Sequence, residues 1–226
     1  MIQLTDEQER WMEAVRQMKE QTHREGEPLR FALDIMREGE LIAHCLLPED
    51  DEMRLDFIYR AGRAFGAHEL RLFLDVWTAE PGAVDPNKPF AEQPQSTHAL
   101  LTYIATDDGA DVIGAMLHYH IGDDGQVSWG STGWAVPPTD PHAEALADAL
   151  EPFIEMEEAL ATALDEFQLT EVEAKTHFNC AVVKAILPIY EGQAGIMLAP
   201  KTEYEKALIV RSMEDMQGME VHDLDD

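Results

Sequence analysis

The stretch Met53–Ala79, MRLDFIYRAGRAFGAHELRLFLDVWTA, decides the fold class of this 226-residue chain. Its first half repeats apolar residues at helical spacing. The acidic run Glu49–Glu52 before it favours a helix start, because carboxylates stabilise the positive end of the helix dipole. Gly66 stands where a left-handed C-cap glycine is expected. From Leu70 to Trp77 apolar residues recur at every second position, which predicts a strand with one fully apolar face. A helix folded back on its own strand forms the nucleus of a two-layer α/β structure.

The sequence before this stretch predicts one helix and one hairpin. A capping-box pattern at Thr5–Gln8 opens a helix of about Asp6–His23 that carries an apolar stripe. Two strand-like runs follow, Leu29–Met36 and Glu40–Leu47, and the turn at residues 37–39 joins them as a hairpin.

The sequence after this stretch predicts a long loop and then a meander. Several prolines interrupt Glu80–Ser96, and Phe90 is the large apolar anchor of this segment. Three strands follow, separated by turns that contain Asp-Gly: His98–Thr106, Asp111–Ile121 and Gln126–Val136.

The last third of the chain is predicted to be mainly helical. Asp140, followed by a proline at the first helical position, starts a helix whose apolar stripe continues to Phe167. Further capping boxes begin at Thr170 and Thr202, with a short strand at Gly195–Ala199 between them.

These elements together predict a single α+β domain over residues 1–217. Its helical C-terminal part covers residues 140–217, and an acidic disordered tail covers residues 218–226. The sheet is expected to be mainly antiparallel and five- to six-stranded, with helices on one face and a helical C-terminal third.

Charge is the strongest compositional signal. The chain holds 45 acidic and 16 basic residues, a formal net charge of −29, of which residues 1–71 contribute −6 and residues 72–226 contribute −23. Such a field repels nucleic acid and anionic membranes, so no direct binding to either is expected. Three interpretations of the acidity stay open: a surface adapted to high cellular salt, a generic acidic protein of bacterial or viral origin, and mimicry of nucleic acid.

The remaining composition is that of a globular protein, with 45% hydrophobic residues. Cys45 and Cys180 are expected to be buried thiols rather than a disulfide. The N-terminus lacks the basic and apolar regions of a signal peptide, and no apolar run is long enough for a membrane span. We therefore expect a cytoplasmic protein, or a virion-associated one if it is viral.

His118 and His120 form the first candidate site. Residues two apart on a strand share a face, so both imidazoles could reach one metal ion. With Ser128 ten residues after His118, the segment resembles part of the metalloprotease motif of JAB/MPN-type isopeptidases. That family has a proline where this chain has Ile121 and an aspartate ligand where it has Ser131. A structural interpretation is two ring side chains on a solvent-facing strand.

Glu157 is the second candidate, because it falls at the centre of the apolar stripe predicted between Leu146 and Phe167. A carboxylate there needs a partner or a raised pKa. It could be a third metal ligand, a general base, or half of an ion pair with an arginine of the Met53–Ala79 stretch. Alternatively, Pro152 shifts the helical phase and turns Glu157 toward water.

Asp75, Trp77 and Phe90 form the third candidate, an interaction site where the strand meets the long loop. A strand that ends in an acidic residue followed by tryptophan, then a proline-rich loop and a hairpin, resembles uncharacterised prokaryotic and viral α+β proteins over about residues 53–120. This resemblance implies no assigned activity. The structural interpretation is a strand-end pair packed under the loop.

The sequence favours a soluble acidic interaction or assembly protein without catalytic activity, from a virus or a salt-adapted cell. It has no phosphate-binding loop, dinucleotide-binding fingerprint, nucleophile elbow or C-x-x-C motif. The expected partner is another protein or a second copy, and no cofactor is expected. Two alternatives stay open: a metal-dependent hydrolase using a divalent ion such as zinc, and a nucleic-acid-mimicking inhibitor of a DNA- or RNA-binding protein.

Overall fold

The part of the chain that the structure describes forms one eight-stranded antiparallel sheet in the strand order β6-β5-β4-β3-β1-β2-β8, with β7 also paired to β5. A computed structural model describes residues 4–78, 97–107, 112–122, 124–130, 134–135, 140–151, 164 and 168–217. The strands are β1 Ala32–Arg37, β2 Glu40–Leu46, β3 Glu69–Thr78, β4 Thr97–Thr106, β5 Ile113–Ile121, β6 Val127–Trp129, β7 Trp134–Ala135 and β8 Gly195–Leu198. The helices of the described residues include α1 Asp6–Glu25, α2 Asp51–Phe65, α3 Pro141–Ala149, α4 Glu171–Ile186 and α5 Glu203–Gln217, with a 3₁₀ turn at Leu187–Tyr190.

This architecture confirms the predicted α+β class and the antiparallel sheet, but the described residues form eight strands rather than five or six. The predicted last meander strand, Gln126–Val136, divides into β6 and β7, which pair with different parts of β5. The short segment near Gly195 then returns to the sheet as β8 and pairs with β2. Neither change could be inferred from the periodicity of a single segment, because both depend on partner strands far away in the sequence.

The stretch that decides the fold behaves as its pattern predicts. The Asp50 carboxylate caps α2 by accepting from the Met53 amide, and Gly66 ends the helix in the left-handed conformation at φ 61°. Phe57 of α2 and Leu72 of β3 both lie at 0% exposure in the principal core. Each such fully buried side chain contributes roughly 1.5–3 kcal/mol relative to exposure.

The second face of the sheet is also covered, which corrects the expectation of helices on one face only. Met12 and Val15 of α1 pack with Phe73 of β3 and Leu100 of β4 in a separate core cluster. Leu72, the neighbour of Phe73, belongs to the core with α2. Because adjacent residues of a strand point to opposite faces, α1 and α2 lie on opposite sides of the sheet.

Local signals in the C-terminal part are also confirmed. The capping box at Thr170 opens α4, and Thr202 and Glu205 bond reciprocally at the start of α5. Of the three arginines of α2, Arg63 reaches the C-terminal part, through an ion pair of 2.9 Å with Glu151. None of the described helices has the length and apolar character to cross a membrane.

Three predicted features lie largely or wholly outside the described residues. They are the loop Glu80–Ser96 with its anchor Phe90, the continuation of the helical stripe from Pro152 to Phe167 with Glu157, and the acidic tail at 218–226. They remain predictions.

Gly62 permits the close approach of α2 and α3, and we expect Gly62→Ala to destabilise the protein by about 1–2 kcal/mol. An added Cβ would lie 2.7 Å from Ala149 Cβ and 3.2 Å from the Ala149 carbonyl oxygen. Overpacking costs roughly 1–3 kcal/mol, which outweighs the helix-propensity gain of about 1 kcal/mol for alanine over glycine. Urea denaturation measures the change. The double variant Gly62→Ala/Ala149→Gly should recover most of the loss, and an equal loss in single and double variants would contradict this packing.

Candidate functional site

Four aromatic rings face one another across four neighbouring strands on the α1 side of the sheet. Trp77 of β3 is paired with His98 of β4, His98 with Tyr119 of β5, and Tyr119 with Trp129 of β6. Side chains at directly paired positions of antiparallel strands lie close together on the same face. The four residues therefore form one continuous row, which we call the aromatic ladder.

The ladder is exposed at one end and covered toward the other. Ring centroids are 3.7 Å apart for Trp77 and His98, 5.1 Å for His98 and Tyr119, and 5.5 Å for Tyr119 and Trp129. Trp77 is 40% exposed, whereas Tyr119 is 4% exposed. A large aromatic side chain held at a strand end but open to solvent is a suitable anchor for a partner.

A buried ion pair between α1 and β3 lies beside the ladder and bonds to it. Lys19 of α1 lies 2.5 Å from the Asp75 carboxylate, with side-chain exposures of 8% and 16%. The Tyr119 hydroxyl donates to the other Asp75 oxygen at 2.7 Å, and the Lys19 ammonium lies 4.9 Å from the centroid of the Tyr119 ring. Asp75 thus joins α1, β3 and β5, and its two carboxylate oxygens both have partners.

Burial changes the titration of two ladder residues. It raises the pKa of Tyr119, and the hydrogen bond to Asp75 raises it further, so the phenol stays protonated. Burial lowers the pKa of His98 below its ordinary value of 6.5. The neighbouring Asp75 opposes that shift, whereas the charges of Lys19 and His23 add to it. His98 is therefore a neutral ring at pH 7.

Helix α1 closes the far end of the ladder. The Trp129 indole N–H donates to the Glu20 carboxylate at 2.9 Å, and the Arg16 guanidinium lies 5.8 Å from the Trp129 ring centroid. Together with Lys19, these residues form one side of α1 whose polar groups bond to the sheet. These contacts hold the Trp129 end of the ladder against α1, whereas Trp77 at the other end keeps an open face.

The predicted metal residues lie on the opposite face of the same strand. His118 and His120 are both exposed, as expected for residues two apart on β5, and they border an open hollow of about 400 Å³. Thr97 Oγ1 lies 3.4 Å from His118 Nδ1. Within the described ranges, no group of three or more His, Cys, Asp and Glu residues could hold a metal ion. Glu157 lies outside those ranges, so the third ligand stays a prediction.

The two cysteines are buried thiols, as the sequence predicts. Burial raises the pKa of both Cys45 and Cys180, and Asp34 adds to the shift at Cys45. A thiol with a raised pKa is a poor nucleophile, because the thiolate is the reactive form. Neither side chain has the environment of an activated cysteine.

The sequence indicated Asp75 and Trp77 as a site, but not their partners. The structure brings them together with Lys19, His98 and Tyr119, while Phe90 lies outside the described residues. Tyr119 stands between the two histidines that the sequence singled out, and the same alternation that placed those on one face places Tyr119 on the other. The alternation of side chains along the strand was therefore enough to place Tyr119 on the face of Asp75 and Trp77. Nothing in the sequence indicated that Lys19 joins them.

No protein-family model, curated protein or solved structure matches this chain. Its function is therefore proposed from geometry and charge alone.

Proposed function

We propose that this chain is a non-catalytic interaction protein that binds a cationic segment of another protein at the open end of the aromatic ladder. The observation that carries this proposal is Trp77: it is 40% exposed, yet its ring lies 3.7 Å from His98 in a row that a buried ion pair holds in place. Rigid, solvent-facing tryptophan is a preferred anchor at protein interfaces.

Charge supports a cationic partner. The chain has a formal net charge of −29, most of it in the sequence from residue 72 onward, so its field attracts basic surfaces and accelerates their encounter. At the site, the indole face of Trp77 can receive an arginine or lysine side chain through a cation–π contact worth about 0.5–2 kcal/mol. Salt screens the long-range attraction by the net charge more strongly than the close contact with Trp77. Measurements at low and high salt therefore distinguish the two effects.

The surrounding groups support binding rather than chemistry. Both oxygens of Asp75 already accept hydrogen bonds, and the Tyr119 hydroxyl is committed to one of them. Protonation of Asp75 by a substrate would leave the buried Lys19 ammonium without its counter-ion, which makes this carboxylate a poor general base. The ladder is thus suited to present a surface.

We expect Trp77→Ala to weaken binding of a short arginine-glycine repeat peptide by roughly 3- to 30-fold, the equivalent of the cation–π contact. Isothermal titration at low salt measures it. Met116→Ala is the matched control. Met116 lies on β5, on the opposite face of the sheet from Trp77, and is equally exposed, at 40%. A glutamate-glycine peptide should not bind. No loss in Trp77→Ala, or an equal loss in both variants, would overturn the proposed site.

Binding at this site should also weaken as the pH falls below 6.5. His98 has a lowered pKa, so it is neutral at pH 7 and gains its charge only at a pH below its ordinary value of 6.5. A positive ring 3.7 Å from Trp77 then repels a bound cation, and we expect about a fivefold loss of affinity, or roughly 1 kcal/mol. Titrations across this range test it. In His98→Phe the dependence should disappear, and its persistence would assign it to another group.

The nucleic-acid-mimic interpretation is a narrower form of this proposal, in which the cationic partner is a DNA- or RNA-binding protein. Binding of such a partner would then compete with its nucleic acid. If Trp77→Ala still competes with the nucleic acid as strongly, any mimicry would lie elsewhere on the acidic surface.

Metal-dependent hydrolysis is a second candidate function, favoured by the shared exposed face of His118 and His120 beside a hollow. Two imidazoles would have to be joined by a third ligand, for which Glu157 is the sequence candidate. Titration of the purified protein with zinc tests this candidate. Binding that is lost in both His118→Ala and His120→Ala, and weakened in Glu157→Gln, would support it, and no specific binding would end it.

A further inference from the structure

A second site lies beside β8, the edge strand at the other end of the sheet from the ladder. It is a hollow of about 230 Å³ between the β1–β2 hairpin, α4, the end of β8 and the start of α5. Apolar walls come from Ile42, Leu198 and Ile209. We call it the hairpin hollow. Its volume is below the roughly 300–1,000 Å³ of sites for drug-sized ligands, so any occupant is small.

Buried polar side chains with unused hydrogen-bonding capacity line this hollow. Arg37 is 5% exposed, and its one hydrogen bond in the described structure runs from Nη1 to the Phe65 carbonyl at 3.2 Å. The described structure gives Arg37 no ion pair; burial lowers its pKa, and the charge of the neighbouring Glu38 opposes that shift. Such a cation is costly to bury without an anion beside it.

Two residues of α4 add polar groups to the wall of this hollow. Thr176 is 7% exposed. The side-chain oxygen of Asn179 is buried without a partner among the described residues. Buried polar groups in folded proteins are normally paired, so the unpaired Asn179 oxygen beside the incompletely paired Arg37 points to an occupant.

The rim of the hollow carries the opposite charge. Glu38 and Glu171 both pair with Lys175, at 3.3 and 2.7 Å, and Glu40 pairs with Lys201. Glu205 accepts from the backbone at the start of α5. The four carboxylates outnumber the two rim ammonium groups, so the mouth is acidic whereas the buried wall holds Arg37.

We propose that the hairpin hollow binds a small zwitterion, a free α-amino acid, with its carboxylate toward Arg37 and its ammonium group toward the acidic rim. A simple anion would be repelled by the rim and by the net charge of −29, and a simple cation would leave Arg37 without a partner. A carboxylate can accept two parallel hydrogen bonds from one guanidinium, which fits the donors that Arg37 leaves unused. The Thr176 hydroxyl supplies a further polar contact.

Thermal unfolding with each of the twenty amino acids as the added ligand tests this proposal. A ligand at free concentration L that binds only the folded state stabilises it by RT ln(1 + L/Kd), so Tm rises with the logarithm of the ligand concentration once that exceeds Kd. For the amino acid that gives the largest rise, its methyl ester and its des-amino acid serve as matched probes that each lack one charge. We expect both to lose at least tenfold in affinity by isothermal titration.

Variants then assign the binding to this hollow. Thr176→Val keeps the side-chain shape and should weaken binding several-fold, and Arg37→Lys keeps the charge but should weaken it about tenfold by removing the forked donor geometry. Trp77→Ala, at the ladder, should leave it unchanged. If Arg37→Lys does not fold, Thr176→Val and the two matched probes still decide. Failure of all twenty amino acids to bind, or equal affinity for the methyl ester, would overturn the proposal and leave water as the occupant.

Discussion

Asp75→Asn is expected to lower the free energy of unfolding by about 3 kcal/mol, although it changes only one atom type. Asparagine keeps an oxygen that can accept the Tyr119 hydroxyl, but it leaves the Lys19 ammonium buried at 8% side-chain exposure without its 2.5 Å counter-ion. Breaking a buried ion pair by removing one partner costs roughly 3–5 kcal/mol, because an uncompensated charge stays in a poorly solvated position. The loss reflects that burial rather than the net contribution of the pair.

A double-mutant cycle tests this interpretation. Lys19→Met/Asp75→Asn removes the stranded charge as well, so it should be more stable than Asp75→Asn alone. Arg60→Met is the control, since Arg60 and Asp56 form an exposed ion pair, with side-chain exposures of 50% and 40%, and its loss should cost less than about 1 kcal/mol. Urea denaturation of the wild type, Lys19→Met, Asp75→Asn, the double variant and the Arg60→Met control gives the values. A double variant no more stable than Asp75→Asn would contradict the buried-charge explanation.

Phe73→Ala is expected to cost about 3–5 kcal/mol and to loosen α1 selectively. Phe73 is 1% exposed at the centre of the cluster between α1 and the sheet, and its ring lies 6.5 Å from that of Trp11. Truncating a buried phenylalanine removes its transfer free energy and leaves a cavity. Because α1 packs on this cluster and α2 packs on the other core, the cavity should affect α1 most.

Amide hydrogen exchange distinguishes this outcome from general destabilisation. Amides of α1 should lose protection in Phe73→Ala more than amides of α2. Trp77→Ala is the matched control, because Trp77 lies on the same strand and the same face but is 40% exposed, so its truncation should change stability by less than about 1 kcal/mol. Equal loss of protection in both helices would show that the two cores unfold as one unit.

Local features of this fold could be predicted from the sequence, because their causes lie within a few residues. The caps at Thr5, Asp50 and Thr170 each depend on a side chain and an amide three positions apart. Glu38 and Gly39 both have positive φ in the turn of the β1–β2 hairpin. The glycine between the two apolar runs predicts this turn. The sequence did not show that α1 covers the second face of β3, because Arg71 and Asp75 interrupt the apolar pattern of that face. Arg71 is in fact paired with Glu7 of α1 at 2.8 Å.

The sequence by itself determined the class of the fold, the acidic field and the presence of an acid and a tryptophan at the end of β3. Only the tertiary structure decided what those residues do, because their partners are remote: Lys19 is 56 residues from Asp75, and Tyr119 is 44 residues from it. Hydrophobic periodicity specifies which residues share a face of one element, whereas the pairing register across four strands specifies which rings meet. The aromatic ladder is a property of that register, and so is the neutral histidine beside its exposed tryptophan.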